Sequence, residues 1–178
     1  MSQLLFTALV LAVGVERLAE LALSRRHAAW AFSHGGEEFG RGHFPPMVAL
    51  HTGLLVGALA EVWILERPFL PILGWTALAV VVASQMLRWW CIASLGRQWN
   101  TRVIVVPGLP LVGRGPYRLL RHPNYVAVVL EGAALPLVHS AWATAAGFTI
   151  LNAALLARRI HVEEQALATV AGEQAALR

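Results

Sequence analysis

The sequence predicts an all-α integral membrane protein, a helical bundle of about five transmembrane helices in which helices four and five form a hairpin. Three observations lead there. Apolar residues make up 57% of the 178-residue chain and charged residues only 13%, against roughly 25% in an ordinary soluble protein. The apolar residues fall in runs near the length that crosses a bilayer, about 20 residues. The arginines collect between alternate runs. At this length a single domain over residues 1–178 is expected, and a mean hydropathy of +0.60 excludes a disordered chain.

The first run is Gln3–Leu23, apolar to Val15 and then interrupted by Glu16, Arg17 and Glu20. It lacks the basic start and the small-residue cleavage site of a secretion signal, so a retained helix is expected. Met47–Leu65 follows, with Glu61 near its end, and then Phe69–Leu87, which carries no charge. The fourth run, Tyr125–Val138, is short and holds Glu131, and the fifth, Ala141–Ala157, is uncharged. Only His139 and Ser140 separate these two. A tight hairpin is expected there, with Pro136 where the chain prepares to turn and a re-entrant pair as the alternative. Between the third and fourth runs, Gly96–Pro116 has Gly and Pro punctuation and the β-branched run Val103–Val106. A loop with one short strand pair is expected. The tail from Arg158 reads as an amphipathic helix, with Val162, Ala166, Leu167 and Val170 at helical spacing.

All 14 basic side chains are arginine and all 10 acidic ones glutamate. If five runs span, Arg25, Arg26, Arg41, Arg97, Arg102, Arg114, Arg118, Arg121, Arg158, Arg159 and Arg178 share one side, and the other side holds only Arg67. That bias places the N-terminus outside the membrane, with the two long loops and the tail in the cytoplasm. The net charge of +4 is then a topology device, with membrane lipid head groups as a secondary partner and no nucleic acid. The single cysteine, Cys91, excludes an internal disulfide and a Cys-rich metal site. No metal is expected, since the seven histidines show no ligand spacing. Gly53 and Gly57, one helical turn apart, suit close helix packing within one chain or between two, so the oligomeric state stays open.

Polar residues gather on the cytoplasmic side. The densest stretch, Gly113–Tyr125, leads into the fourth run, with Pro123 suited to a first helical turn. Aromatic, arginine and histidine side chains beside a helix start fit a polar cofactor; interface anchoring is the simpler alternative. A second cluster, Arg158–Glu164, follows the fifth run, and a hairpin would bring it beside the first. Glu163 and Glu164 then either accept bonds from ligand hydroxyls and neutralise a cation, or pair with Arg158 and Arg159 on a solvated helix. Within the runs, Glu16, Glu20 and Ser24 form one stripe. Glu16 is expected to pair with Arg17 or Arg88, and Glu131 to make a buried structural bond or to line a cavity. His43 and His51 flank the start of the second run, and His43 is a candidate base.

Three segments in order, Gly115-Pro116-Tyr117-Arg118, Arg121-His122-Pro123-Asn124-Tyr125 and Arg159 with Glu163-Glu164, resemble the isoprenylcysteine carboxyl methyltransferases. The resemblance runs from about Ser84 to Leu167. Arg88-Trp89-Trp90 and Trp99-Asn100-Thr101-Arg102 also look family-like. Phospholipid methyltransferases show a related arrangement with paired glutamates. The stretch Gly35–Pro45, followed by His51, is similar to bacterial members found beside type III polyketide synthases, relatives that O-methylate alkylated phenols or pyrones.

The resemblance implies an integral membrane O-methyltransferase with a cofactor-binding core at 84–167. It implies S-adenosylmethionine as cofactor, in a cytoplasmic pocket formed by Tyr117, Arg118, Arg121, His122, Pro123, Tyr125, Glu163 and Glu164. It puts Asn100 and Arg159 forward, with His43, at the reacting centre. A carboxylate acceptor is already ionised, whereas a phenol gains from a base or a nearby cation; His43, His122 or an arginine would serve. The expected partner is a lipophilic small molecule or a prenylated cysteine reaching the site from the bilayer. Two alternatives stand beside this. Sterol reductases, which use NADPH, carry an Arg-His-x-Asn-Tyr motif resembling Arg121–Tyr125, and a non-enzymatic lipid-binding membrane protein would share the composition.

Overall fold

The first helix, α1, starts where the Ser2 hydroxyl accepts the Leu5 N–H at 3.3 Å, and it runs over Gln3–Ser33. The computed structural model describes the backbone of residues 1–176 and the side chains of residues 1–169 other than His43. Its order is α1, β1 (Glu37–Phe39), α2 (Phe44–Ile64), α3 (Pro71–Leu95), β2 (Val103–Val105), α4 (Pro123–Leu137) and α5 (Trp142–Ala176). Short 3-10 turns lie at Arg41–His43, Gly96–Gln98 and Gly115–Arg118. The chain is thus mostly helical. Two helical stretches, Phe44–Ile64 and Pro71–Gln98, are long and apolar enough to cross a membrane.

Three expectations are corrected. Helix α1 does not end at Leu23. Polarity alone does not break a helix, and the break comes at Gly35, where φ is +77° and the Gly36 N–H closes on Ala31 O at 2.8 Å. The fold is also not purely α. Strand β2 finds its partner outside its own loop, pairing antiparallel with β1 in the register Glu37↔Val105, Glu38↔Ile104, Phe39↔Val103. Lastly, the fifth apolar run and the tail form one helix of 35 residues, because nothing at Arg158 interrupts the backbone ladder.

Helix α4 begins on Pro123, whose missing N–H costs nothing in a first turn. It packs against both α3 and α5. The turn from α4 into α5 uses Ser140 at φ +57° and an Ala141 N–H bond to Pro136 O at 3.0 Å. Gly132 on α4 makes room for the Phe148 ring of α5. Gly57 on α2 similarly approaches Thr144, whereas a Cβ at Gly53 would meet open space.

The apolar core lies at one end of the bundle. Phe6, Val10 and Val13 meet Ala58, Val62, Ala77 and Val81 there, with Ala134, Leu135 and Val138 from α4. Outward faces carry large exposed apolar side chains, among them Leu4, Ile72, Met86 and Ile150. Exposed apolar side chains in this number suit a lipid environment.

Two ionic centres tie the helices. Near the middle, Glu131 of α4 accepts from Arg17 of α1 at 2.9 and 3.1 Å and from Arg88 of α3 at 2.6 Å. Glu20 takes Arg17 at 2.6 Å and lies 3.6 Å from Arg88. Glu16 accepts from Trp89 at 2.5 Å and from Gln85, at the edge of this cluster, and lies 3.7 Å from Arg17. The expected partner arginines are therefore present, but Glu131 and Glu20 hold them more closely than Glu16 does. At the other end, Glu61 of α2 accepts from the Ala143 and Thr144 N–H groups at 3.2 and 2.8 Å and pairs with Arg67 at 2.9 Å. A carboxylate on the first turn of α5 complements the positive end of that helix.

Glu131→Leu leaves two buried guanidinium groups short of a carboxylate and should cost about 3–5 kcal/mol of stability. The check is thermal unfolding in detergent, with a large fall in melting temperature expected. In the same assay Gly132→Ala, whose Cβ would sit 1.9 Å from Phe148 Cε1, should cost about 1–3 kcal/mol. Gly53→Ala should be neutral or stabilise by up to about 1 kcal/mol.

Candidate active site

The site forms where the polar ends of α1, α3, α4 and α5 meet strand β2. At the end of α3, Gly96 turns the chain at φ +54°. Asn100 then ties the following loop to α1. Its Oδ1 accepts from the Ser24 hydroxyl at 2.8 Å and the Arg102 N–H at 2.9 Å, and its Nδ2 donates to Ser24 O at 3.2 Å. The Ser24 hydroxyl oxygen also takes the Thr101 N–H at 3.0 Å. Trp99 is held by its carbonyl, 2.7 Å from His27 Nδ1. Arg102 lies over the Phe44 ring at 5.1 Å and reaches Glu38 of β1 at 3.6 Å.

Gly115 sets the next element. Its φ is +61°, and a Cβ there would stand 2.1 Å from Ser94 Oγ. Only glycine gives both the left-handed backbone and the close approach. Arg114 fastens the same turn by donating to Ser94 O at 3.1 Å. Tyr117 is thereby delivered to the cavity. Burial, with Cys91 beside it, pushes its hydroxyl well above the usual tyrosine range. Tyr117 therefore acts as a hydroxyl donor and not as a base.

Helices α4 and α5 bring the two sequence clusters together. The Tyr125 hydroxyl donates to Glu163 and accepts from Arg159 Nε at 3.0 Å. The Arg159 guanidinium also lies 5.6 Å over the Tyr125 ring, and its Nη1 points at Met47 Sδ, 2.8 Å away. The His122 ring stacks on Tyr125 at 5.4 Å with 23° between planes, and its Nε2 lies 3.5 Å from Glu164. Among the described residues, neither Arg158 nor Arg159 forms an ion pair with Glu163 or Glu164. The glutamates instead turn to the α4 motif.

These groups surround a cavity of about 570 Å³. Asn100, Tyr117, Arg121, His122, Tyr125, Arg159, Glu163 and Glu164 all line it. Two candidate residues do not. Arg118 is exposed outside the lining, and Pro123 is buried as the first residue of α4. The His43 backbone ends the 3-10 turn before α2, and its side chain lies outside the described residues. Sequence reasoning gave no site role to a whole wall: Trp30 and Ala31 of α1, Leu95, Val103–Val105 of β2, and Trp99, which it noted only as part of a family-like segment. The β-branched run was visible, but its partner strand was not. Two buried polar atoms in the lining residues lack partners, Trp99 Nε1 and Asn124 Oδ1.

The chain is thus helical, with apolar side chains on its outer faces and an ionisable cavity at one end. Residues 76–169 match the family model of the isoprenylcysteine carboxyl methyltransferase (ICMT) family. The chain is also 38% identical over 164 residues to the uncharacterised protein YpbQ of Bacillus subtilis strain 168, covering 92% of this chain and 96% of that protein. The chain belongs to the isoprenylcysteine carboxyl methyltransferase family, whose members are membrane-integral methyltransferases.

The Ser24–Asn100 network should behave as one unit. Ser24→Ala and Asn100→Ala should each cost about 1–2 kcal/mol, and the double variant less than the sum of the two. Denaturant unfolding of the four proteins measures the coupling.

Proposed function

We propose that the chain transfers a methyl group from S-adenosylmethionine to an oxygen of a lipophilic acceptor at the cytoplasmic face of the membrane. The observation that carries this reading is the meeting of Tyr125, Arg159, Glu163, His122 and Glu164 around one cavity. All five belong to the motifs that resemble the family.

The lining suits a zwitterionic nucleoside cofactor. Glu163, Glu164 and the unpartnered Asn124 Oδ1 offer acceptors for ammonium, amino and hydroxyl groups. Arg121 and Arg159 offer charge for a carboxylate. When bound, the cofactor supplies an activated methyl: as the acceptor oxygen forms its C–O bond, the C–S bond breaks and its electron pair leaves with sulfur as a neutral thioether. The protein's task is then positioning and exclusion of water. Tyr125 locks Arg159 and Glu163 in register. Asn100 spends three bonds on Ser24 and its own loop, so it acts as a positioning residue. Arg159 stabilises an anionic acceptor, and His43 or His122 takes the proton where the acceptor is a phenol. An alkylated phenol or pyrone and an isoprenylcysteine carboxylate are the two acceptor types in view.

The same reading includes a five-span topology with the N-terminus outside and α4–α5 as a hairpin. Helix α4 has 15 residues, about 22 Å at 1.5 Å per residue, shorter than the roughly 30 Å hydrocarbon layer. A helix of that length spans with local thinning of the bilayer, and a re-entrant α4–α5 pair is the alternative.

Calorimetric titration of the detergent-purified protein with S-adenosylhomocysteine tests the proposal, with NADPH as control. Micromolar binding is expected for the first and none for the second. Glu163→Ala and Glu164→Ala should each weaken binding by about 1.5–3 kcal/mol, the range for a lost hydrogen bond to a charged group, without unfolding the protein. Unchanged affinity in both variants would remove the glutamates from the site. Binding of NADPH alone would point to reductase chemistry.

A further inference from the structure

Exposed tryptophans fall at two levels of the bundle. Trp63, Trp75 and Trp142 mark the end that holds Glu61, and Trp89 and Trp90 lie near the cavity end of α3. Helix α3 is apolar enough to cross a membrane, and on such a helix exposed tryptophans mark the bilayer–water boundary. The 3-10 turn Gly115–Arg118 packs against α3 at the level of Trp90. A Cβ at Gly115 would stand 3.1 Å from Trp90 Nε1, and Arg114 is fastened to Ser94 O. The turn therefore lies at head-group depth. It is also built to hold apolar side chains outward. The Leu119 and Leu120 N–H groups both close on Pro116 O, at 3.1 and 3.0 Å, yet Leu119 is 78% and Leu120 45% exposed. Two exposed arginines, Arg114 and Arg118, precede them. Among the described residues no carboxylate pairs with either. Arg118 belongs to a family-like motif, but it stands outside the cavity lining.

We propose that the segment Arg114–Leu120 is a docking surface for an anionic lipid leaflet, with Leu119 and Leu120 entering the boundary of the acyl chains and Arg114 and Arg118 holding lipid phosphates. Charge selects this partner. Between Glu66 and Glu131 the sequence has no carboxylate, and Glu163 and Glu164 turn to Tyr125 and His122, so the segment presents only positive charge. Guanidinium forks match phosphate oxygens. Long arginine stems keep that charge at phosphate depth while the neighbouring leucines lie deeper. Held outward into water, the two leucines bury little; at the acyl boundary their apolar surface leaves water. The surface is separate from the methyl-transfer reading and holds for any acceptor. Tyr117 of the same segment lines the cavity, so docking fixes that side of the cavity at the depth of the lipid head groups.

Full-length protein in lipid nanodiscs tests this, with phosphatidylcholine alone or an equal mixture of phosphatidylcholine and phosphatidylglycerol. Leu119→Cys carries a dansyl label. Cys91 is buried, and the unsubstituted protein taken through the same labelling gives the background. The label is quenched from the membrane by a lipid with a nitroxide on its acyl chain, and from water by acrylamide, which is uncharged. In the mixture the nitroxide lipid should quench strongly, and acrylamide at least about threefold less than in phosphatidylcholine alone. Arg118→Gln, added to the labelled variant, should return acrylamide access towards the phosphatidylcholine value. Should Leu119→Cys not fold, Leu120→Cys carries the label with the same expectations. Equal acrylamide access in the two membranes, or lipid quenching indifferent to both phosphatidylglycerol and Arg118→Gln, would overturn the proposal. A label shielded from both quenchers overturns it as well, because protein, such as a second copy of the chain, then covers the turn. None of these readouts involves S-adenosylhomocysteine, so the methyl-transfer reading is decided separately.

Discussion

The Glu131 carboxylate, shared between Arg17 of α1 and Arg88 of α3, fixes how three helices are rotated about their own axes. Apolar helix faces in lipid slide and rotate at little cost, since lipid tails match side chains in polarity. A charge among them cannot. Any rotation that parts Glu131 from its arginines exposes an ion to a medium that solvates it poorly. The direction in which α1 presents Ser24 and α4 presents Tyr125 follows from this one contact. Arg17 and Arg88 also meet Glu20, so the constraint is a small network and not a single bond.

The two ends of the bundle then serve opposite purposes. Beyond the ionic centre lie small, close-fitting residues such as Ala58, Ala77 and Ala134, with Glu61 capping α5. On the other side the helices separate, and a strand pair with three short turns fills the gap around a cavity. Dense packing at one end permits an open structure at the other, because the helices are already fixed before they diverge.

The helices were legible from apolar run length, and the meeting of Tyr125 with Glu163 from the short link at His139 and Ser140. Those signals are local. The end of α1 was also written in the chain, as Gly35-Gly36, but the onset of charge at Arg25 and Arg26 masked it. What was not legible depended on distant pairing. Phe39 opposite Val103 joins segments far apart in sequence, and two three-residue strands have no periodicity to reveal it. Asn100 read as a reacting-centre candidate because motif membership does not show where an amide spends its bonds. Arg118 stands three residues before Arg121, which lines the cavity, and only the 3-10 turn decides which of the two points away.

The β1–β2 pairing gives the chain an unequal division of inheritance. The carboxylate-bearing wall lies wholly inside residues 76–169, the part matched by the family model. The opposite wall also draws on Trp30 and Ala31, and its strand β2 is seated by β1; Trp30, Ala31 and β1 lie outside that part. A segment exchanged between relatives at this boundary would carry one wall intact and take part of the other from its new host. Descent can therefore alter the N-terminal third, and with it the shape of the second wall, while the first wall passes on unchanged.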